Sequence, residues 1–309
     1  MTSSNPHPPR LSRRAFAVLA TTLTAWLATG AAQAQGDAPP ASAATQLRIG
    51  YQKYGTLTLL KVRGTLDKRL AGQGIAVKWI EFPAGPQLLE GLNVGSIDFG
   101  TVGEAPPIFA LAADAPLVYV GSEPPAPTAE AIVVPKDSPL KQVADLRGKR
   151  VALNKGSNVH YLLVRLLEKA GLPYSDIQPI YLAPADARAA FERGAVDAWA
   201  IWDPFFAAAE EQLGARVLAD GAGAVNNIQY YLASKGYARA RPDVLNAVLD
   251  ELKDTDAWAA INPKEAETIL GPQLGLEPAV VARAVSRFSY GVQPVGAETL
   301  ADQQRIADV

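Results

Sequence analysis

Two acids stand at matched places in this chain. The stretch "GSIDFGTVGEAPP" (95–107) is echoed by "GAVDAWAIWDPFF" (194–206). Each reads glycine, a spacer, Ile or Val, Asp, then five residues and an acid close to proline. Gly95, Asp98 and Glu104 map onto Gly194, Asp197 and Asp203 at one constant offset. In each copy the glycine ends a helix, the Asp opens a buried strand, and the next acid falls just past that strand. Ligands of open α/β sheets bind at the carboxyl ends of strands, beside helix N-termini. The spacing therefore predicts that Glu104 and Asp203 face one another across a shared cleft.

A second group is "Lys155-Gly156-Ser157-Asn158". A strand, a glycine and then hydroxyl and amide side chains at a helix start present backbone N–H groups to an anion. Phosphate-loop spacing is absent. The loop after "LRIGYQ", with Gln52, Lys53 and Thr56, is the counterpart in the first half, and "Val102-Gly103-Glu104" enters another helix. His160, in the first turn after Asn158, is either a helix-face residue or a ligand contact. Trp199, Trp202, Phe205 and Phe206 crowd one loop, with Tyr51 and Tyr54 expected opposite. Strand alternation sends Trp199 to the core and Trp202 to the cleft.

What is missing narrows the chemistry. The sequence has no cysteine and two histidines, of which His7 lies in the expected export signal, residues 1–34. That leaves no His/Cys set for zinc or iron, and no Gly-x-Ser-x-Gly elbow for a serine hydrolase. No cofactor is expected.

The elements that must hold these residues follow from the pattern. Of 309 residues, 49% are hydrophobic, which describes a folded globular chain. Arg10, Arg13 and Arg14, an apolar run and Ala32-Gln33-Ala34 make residues 1–34 an export signal with cleavage near Ala34. Ser12-Arg13-Arg14-Ala15-Phe16 also fits the twin-arginine pattern. Residues 35–45 read as a flexible leader. Basic residues number 29 against 31 acidic, without a basic cluster, so neither nucleic acid nor a membrane surface is an expected partner. From Leu47 onward, strands alternate with helices twice over, including one helical stripe through "LTLLKVRGTLDKRLAGQG" and one from "SNVHYLLVRLLEKAGLP", capped by Ser157 or Asn158. Such alternation means an α/β chain with two mainly parallel sheets, each flanked by helices.

The motifs "LRIGYQK", "EFPAGPQLLEGLNVGSIDFGTVGEAPPIFALAA", "LNKGSNVHYLLVRLLEKAGL" and "DIQPIYLAPADARAAFERGAVDAWAIWDPFF" resemble the periplasmic aliphatic sulfonate-binding proteins of ABC importers. The likeness runs from about Leu47 to the end. It implies a two-lobed periplasmic binding protein (type II) with a two-strand hinge, lobe one from 45–130 and 230–309, lobe two from 131–229. It implies no catalysis, an organic sulfonate as ligand, a membrane permease and its ATPase as partners, and a monomer in the periplasm. Carried over, the ligand contacts are Gln52, Gly103, Glu104, Ser157, Asn158 and Asp203, with Glu123 and Trp202 beside them. This chain departs from the pattern at Val102, where relatives often have a small hydroxyl residue, and at Ser157-Asn158-Val159-His160, where they have a serine run. Binders of taurine, nitrate or a thiamine-precursor pyrimidine share the architecture. Desulfinases resemble it too, but they need a nucleophilic cysteine. A sulfonate is a fixed monoanion that helix N-termini, amides and hydroxyls can hold without a salt bridge. Glu104 and Asp203 would then accept from loop N–H groups or from an amine on the ligand's tail.

Overall fold

The computed structural model describes residues 45–309. The expected signal, its cleavage near Ala34 and the leader up to residue 44 lie outside the described residues. The chain lays down β1 (Gln46–Tyr51), α1 (Gly55–Arg63), α2 (Thr65–Ala71), β2 (Ala76–Glu81), α3 (Gly85–Asn93), β3 (Phe99–Gly103), α4 (Pro106–Ala112) and β4 (Leu117–Ser122). There follow β5 (Glu130–Val134), β6 (Arg150–Leu153), α5 (Asn158–Lys169), β7 (Gln178–Tyr181), α6 (Pro184–Glu192), β8 (Ala198–Trp202), α7 (Phe205–Leu213) and β9 (Arg216–Asp220). Then come β10 (Gln229–Ser234), α8 (Lys235–Ala240), α9 (Pro242–Ile261), α10 (Pro263–Leu274), α11 (Pro278–Val285) and α12 (Ala297–Ala307).

The strands form two five-stranded sheets, ordered β2-β1-β3-β10-β4 and β7-β6-β8-β5-β9. In each, one strand opposes its neighbours: β10 is antiparallel to β3 and β4, and β5 to β8 and β9. Those two strands are the ones reached by crossing from the other sheet, between Ser122 and Glu130 and again between Asp220 and Gln229. The inner strands are buried throughout, as β3 and β5 are, and largely apolar, because helices cover both faces. Leu57, Leu60, Phe99 and Val248 fill one side of the first sheet, and Leu88, Ile97 and Tyr230 the other. Leu153, Leu162 and Leu166 do so for the second sheet, opposite Phe191, Trp199 and Phe206.

One expected element splits. The stripe from Leu59 to Leu70 is two helices, α1 and α2, because Gly64 adopts φ 63° and ends the first of them. A left-handed residue breaks the helical hydrogen-bond run, and glycine does so without a steric penalty.

The echo has a structural cause that the acids near proline did not reveal. Asp98 accepts from the Arg48 backbone N–H (2.9 Å), its Nε (3.0 Å) and its Nη2 (2.6 Å). Asp197 does the same for Arg150, at 2.8, 3.2 and 2.9 Å. Each arginine also reaches the carbonyl of the preceding glycine, Gly95 or Gly194, and both glycines are left-handed. The repeated phrase thus spells a bidentate clamp that ties the first-laid parallel strand (β1 or β6) to its neighbour (β3 or β8). Charge-assisted bonds of this kind contribute on the order of 1.5–3 kcal/mol when shielded. The Asp98 side chain is 9% exposed and that of Asp197 33%. Asp98→Ala should therefore lower stability by about 2–3 kcal/mol and Asp197→Ala by about half that. Urea unfolding checks this, and equal losses would contradict the burial argument.

Candidate functional site

The site is built where the carboxyl ends of the parallel strands in the two sheets meet. Beyond β1, the chain turns at Gln52 (Tyr54 N–H to Gln52 C=O, 2.7 Å) and starts α1. The Gln52 amide donates to the Thr101 carbonyl on β3 at 3.2 Å, which fixes it at the cleft. Beyond β6, residues 154–157 turn into α5. Gly156 has φ 74°, a conformation open to glycine at little cost. Between the sheets lies a tight cleft with a free cavity volume of about 30 Å³. Gln52, Tyr54, Thr101 and Gly103 line it from one side, with Ser157, Asn158, Trp202 and Glu130 from the other. Asn227 and Gln229, on the return crossing, complete the wall.

Asn158 joins the halves. Its Oδ1 accepts from the Ala105 N–H at 3.2 Å, and its Nδ2 donates to Asn227 Oδ1 at 2.7 Å. Asn227 in turn donates to the Ala126 carbonyl at 2.8 Å, so both crossings hang on one carboxamide. The fit requires glycine at 103, since a Cβ there would overlap the Asn158 side chain.

Ser157 occupies the N-cap position of α5, yet its hydroxyl does not cap. It donates back to the Asn154 carbonyl at 2.7 Å. Among the described residues, no hydrogen bond engages the N–H of Asn158 or of Val159. These are the orphan donors of a helix start, at the end of α5 where Ser157 and Asn158 line the cleft.

Several expected contacts sit elsewhere. Glu104 turns away from the cleft onto the return crossing, where Oε2 accepts from the Ile228 N–H at 3.1 Å. Burial pushes its carboxyl up to about 7, against the pull of backbone N–H groups at Ile228 and Asn227. Asp203, wholly buried, accepts from the Ala207 N–H at 3.0 Å, a cap on α7, and from Arg287 Nη1 at 3.2 Å. Burial pushes it up to about 7 as well, with Arg287 the chief opposing influence. The two acids hold backbone in place and do not face one another across the cleft. A spacing rule locates the loop, whereas side-chain direction depends on which N–H or guanidinium is nearest.

Glu123 lies in a buried cluster below the first crossing. Tyr231 donates to it, and Asp256 beside it accepts from Thr56 (2.6 Å) and from the Gly291 and Val292 N–H groups. His160 Nδ1 accepts from the Gly156 N–H at 3.2 Å, and its ring packs against Tyr174 and Tyr181. It braces the loop from behind. Trp199 is fully buried, whereas Trp202 is partly exposed and lines the cleft. Tyr54 lines it too, but Tyr51 packs edge-on against Trp79, away from the cleft. Glu130 was not singled out from the sequence. It is an acid opening an otherwise apolar strand, "EAIVV", and that lone polar residue was the available signal.

Burial and then the neighbouring Asp256 carboxylate push Glu123 up to about 9. An acid whose folded pKa is raised binds more protons folded than unfolded. Its stabilisation is present below the unfolded value and declines as pH rises toward the folded one. Glu104 and Asp203 complete this change near 7, so above about pH 7 the decline belongs to the two acids raised further, Glu123, up to about 9, and Glu130, which burial holds well above the ordinary range. Thermal midpoints should fall over that range, and Glu123→Gln should make the fall shallower. A variant with the parental slope would refute the assignment. Gly103→Ala should weaken any cleft ligand by about tenfold or more, near 1.4 kcal/mol, because Asn158 can no longer seat; titration calorimetry reads this directly, and unchanged affinity would contradict it.

With this geometry established, comparison with known proteins is informative. The family model described as NMT1/THI5 like matches residues 70–266. An Escherichia coli K12 relative named for aliphatic sulfonates is 49% identical over 265 residues, 85% of this chain and 82% of that protein. The alkanesulfonate-binding protein SsuA from Xanthomonas axonopodis pv. citri, solved bound to MOPS, superposes with a TM-score of 0.81 at 47% identity. That match covers 87% of this chain and 93% of the other. The periplasmic aliphatic sulphonate binding protein SsuA from Escherichia coli superposes at 0.77 with 48% identity, over 85% of this chain and 86% of that one.

Proposed function

The chain belongs to the NMT1/THI5-like family, and we propose that it is the periplasmic substrate-binding protein of an ABC importer, capturing aliphatic sulfonates between its two sheets. It is a binding protein and not an enzyme. The observation that carries the reading is the α5 start, where two unclaimed backbone N–H groups meet a cleft walled by amides, hydroxyls and Trp202. A sulfonate keeps its single negative charge at every physiological pH and offers three acceptor oxygens. Backbone donors at a helix start suit such an anion, with help from the positive end of the helix dipole. Gln52 and Asn158 add amide donors, and Trp202 with Tyr54 supplies the apolar wall for an alkyl tail. Gly103 contributes by letting Asn158 approach. Glu104, Glu123, Asp203 and His160 support the surrounding loops.

The two lobes are 45–130 with 230–309, and 131–229, and they open and close about the crossings at 122–130 and 220–229. The protein acts as a monomer after export, with its signal removed near Ala34, and delivers its ligand to a membrane permease driven by an ATPase.

Thermal shift with butanesulfonate, sulfate, nitrate and a pyrimidine tests this reading. Butanesulfonate at 100 times its dissociation constant should add about 2.7 kcal/mol, with little effect from the others. Stabilisation by nitrate or the pyrimidine but not by any sulfonate would overturn it. Ser157→Asp gives up the hydroxyl's bond to the Asn154 carbonyl and places a fixed negative charge at the α5 start. It should melt below the parent but still fold, as circular dichroism reads, and lose sulfonate binding. Retained binding would move the anion away from α5.

A further inference from the structure

Glu130 opens β5 opposite Trp202 and is 0% exposed. Both its carboxyl oxygens lack a hydrogen-bond partner among the described residues, and the side chain lines the cleft. A buried carboxyl with neither oxygen satisfied is costly unless something else supplies donors. The surrounding groups do not. Among the described residues lining the cleft, none is a lysine, arginine or histidine. The charged group that acts on it, Glu104, is another acid with one unpartnered oxygen, and Arg287 is engaged by Asp203 and Glu210. Burial, reinforced by Glu104, drives the Glu130 carboxyl well above the ordinary carboxylate range while no cation is near.

Two ligand chemistries could answer this group. A sulfonate oxygen can take one hydrogen bond from a protonated Glu130, but it offers no donor, so the carboxyl C=O stays unpaired. A protonated amine carries up to three N–H donors and a positive charge. It can satisfy both oxygens and relieve the repulsion between Glu130 and Glu104. We propose that Glu130 is the specificity residue of the cleft, receiving a protonated amine on the tail of the ligand, so that the preferred substrates are zwitterionic aminoalkanesulfonates. This rests on the sulfonate reading above. It assigns the tail amine to Glu130 and leaves Glu104, held through one oxygen by the Ile228 N–H, and Asp203 to hold backbone. Opposite charges at the two ends of the ligand then meet opposite fields in the protein, helix N–H groups at α5 and a carboxylate at β5.

The test is titration calorimetry with 3-aminopropanesulfonate and butanesulfonate, which differ by an ammonium in place of a methyl group. The wild type should bind the amine at least about tenfold tighter, and Glu130→Gln should bring that ratio to about one or below. Butanesulfonate binding with no preference for the amine in the wild type overturns this inference alone, whatever the variant does. A preference that survives in Glu130→Gln overturns the assignment to Glu130. Binding of neither compound overturns the sulfonate reading and this inference together.

Discussion

The carboxamide of Asn158, seated on the bare backbone of Gly103, is the contact on which the cleft depends. It comes from the start of a helix on the second sheet and reaches the loop after β3 on the first. Through Asn227 and Ala126 it is tied to both crossings. Net values near 1 kcal/mol per neutral hydrogen bond make this contact worth a few kcal/mol. That is small beside the roughly 8 kcal/mol of a micromolar ligand. At the cleft itself, then, a bound ligand can outweigh the protein's own contact between the two sheets.

Acids are spread through this region with different duties. Asp203 fastens α7 to Arg287, and Arg287 also pairs with Glu210 while lying over the Phe206 ring. The apolar contact of Val280 and Ala284 with Ala207 and Ala208 lies alongside. Thus α11, near the C-terminal end, is fixed to α7 of the second set by packing and by charge. Glu104 holds the return crossing and Glu123 the base of the first one. Each has a partner within the protein on at least one oxygen. Glu130 alone of these acids has both oxygens unmatched, and it is the one that lines the cleft. Burial raises Glu104, Glu123 and Asp203 alike, so titration does not distinguish structural acids from a ligand-facing one; the hydrogen-bond partners do.

The duplicated sheets were legible in the sequence because strand and helix periods repeat, and the echo placed their equivalent loops correctly. Its cause was not legible. Arg48 and Asp98 are separated by 50 positions and Arg150 and Asp197 by 47, and pairing over such distances leaves no periodic trace. An arginine opening both "RIGY" and "RVAL" was the available sign. The rule for strand ends brought the loops of Gln52, Gly103, Ser157 and Asn158 to the cleft and strand alternation brought Trp202, and all five are in its lining. The strand-end rule also brought in Glu104 and Asp203, whose loops are near the cleft but whose side chains turn to nearby donors. It passed over Glu130, which begins its antiparallel strand at the cleft and not beyond a parallel one. Ser157 stands at the N-cap as expected, but its hydroxyl prefers the Asn154 carbonyl, a local competition that sequence spacing does not resolve.

The central claim is that backbone donors at the start of α5 hold a sulfonate between the two sheets. A crystal structure with butanesulfonate tests it most directly. The account predicts sulfonate oxygens at about 2.9 Å from the N–H groups of Asn158 and Val159, with the alkyl chain against Trp202. A sulfonate bound outside the cleft, or within it but out of reach of both groups, would contradict the account.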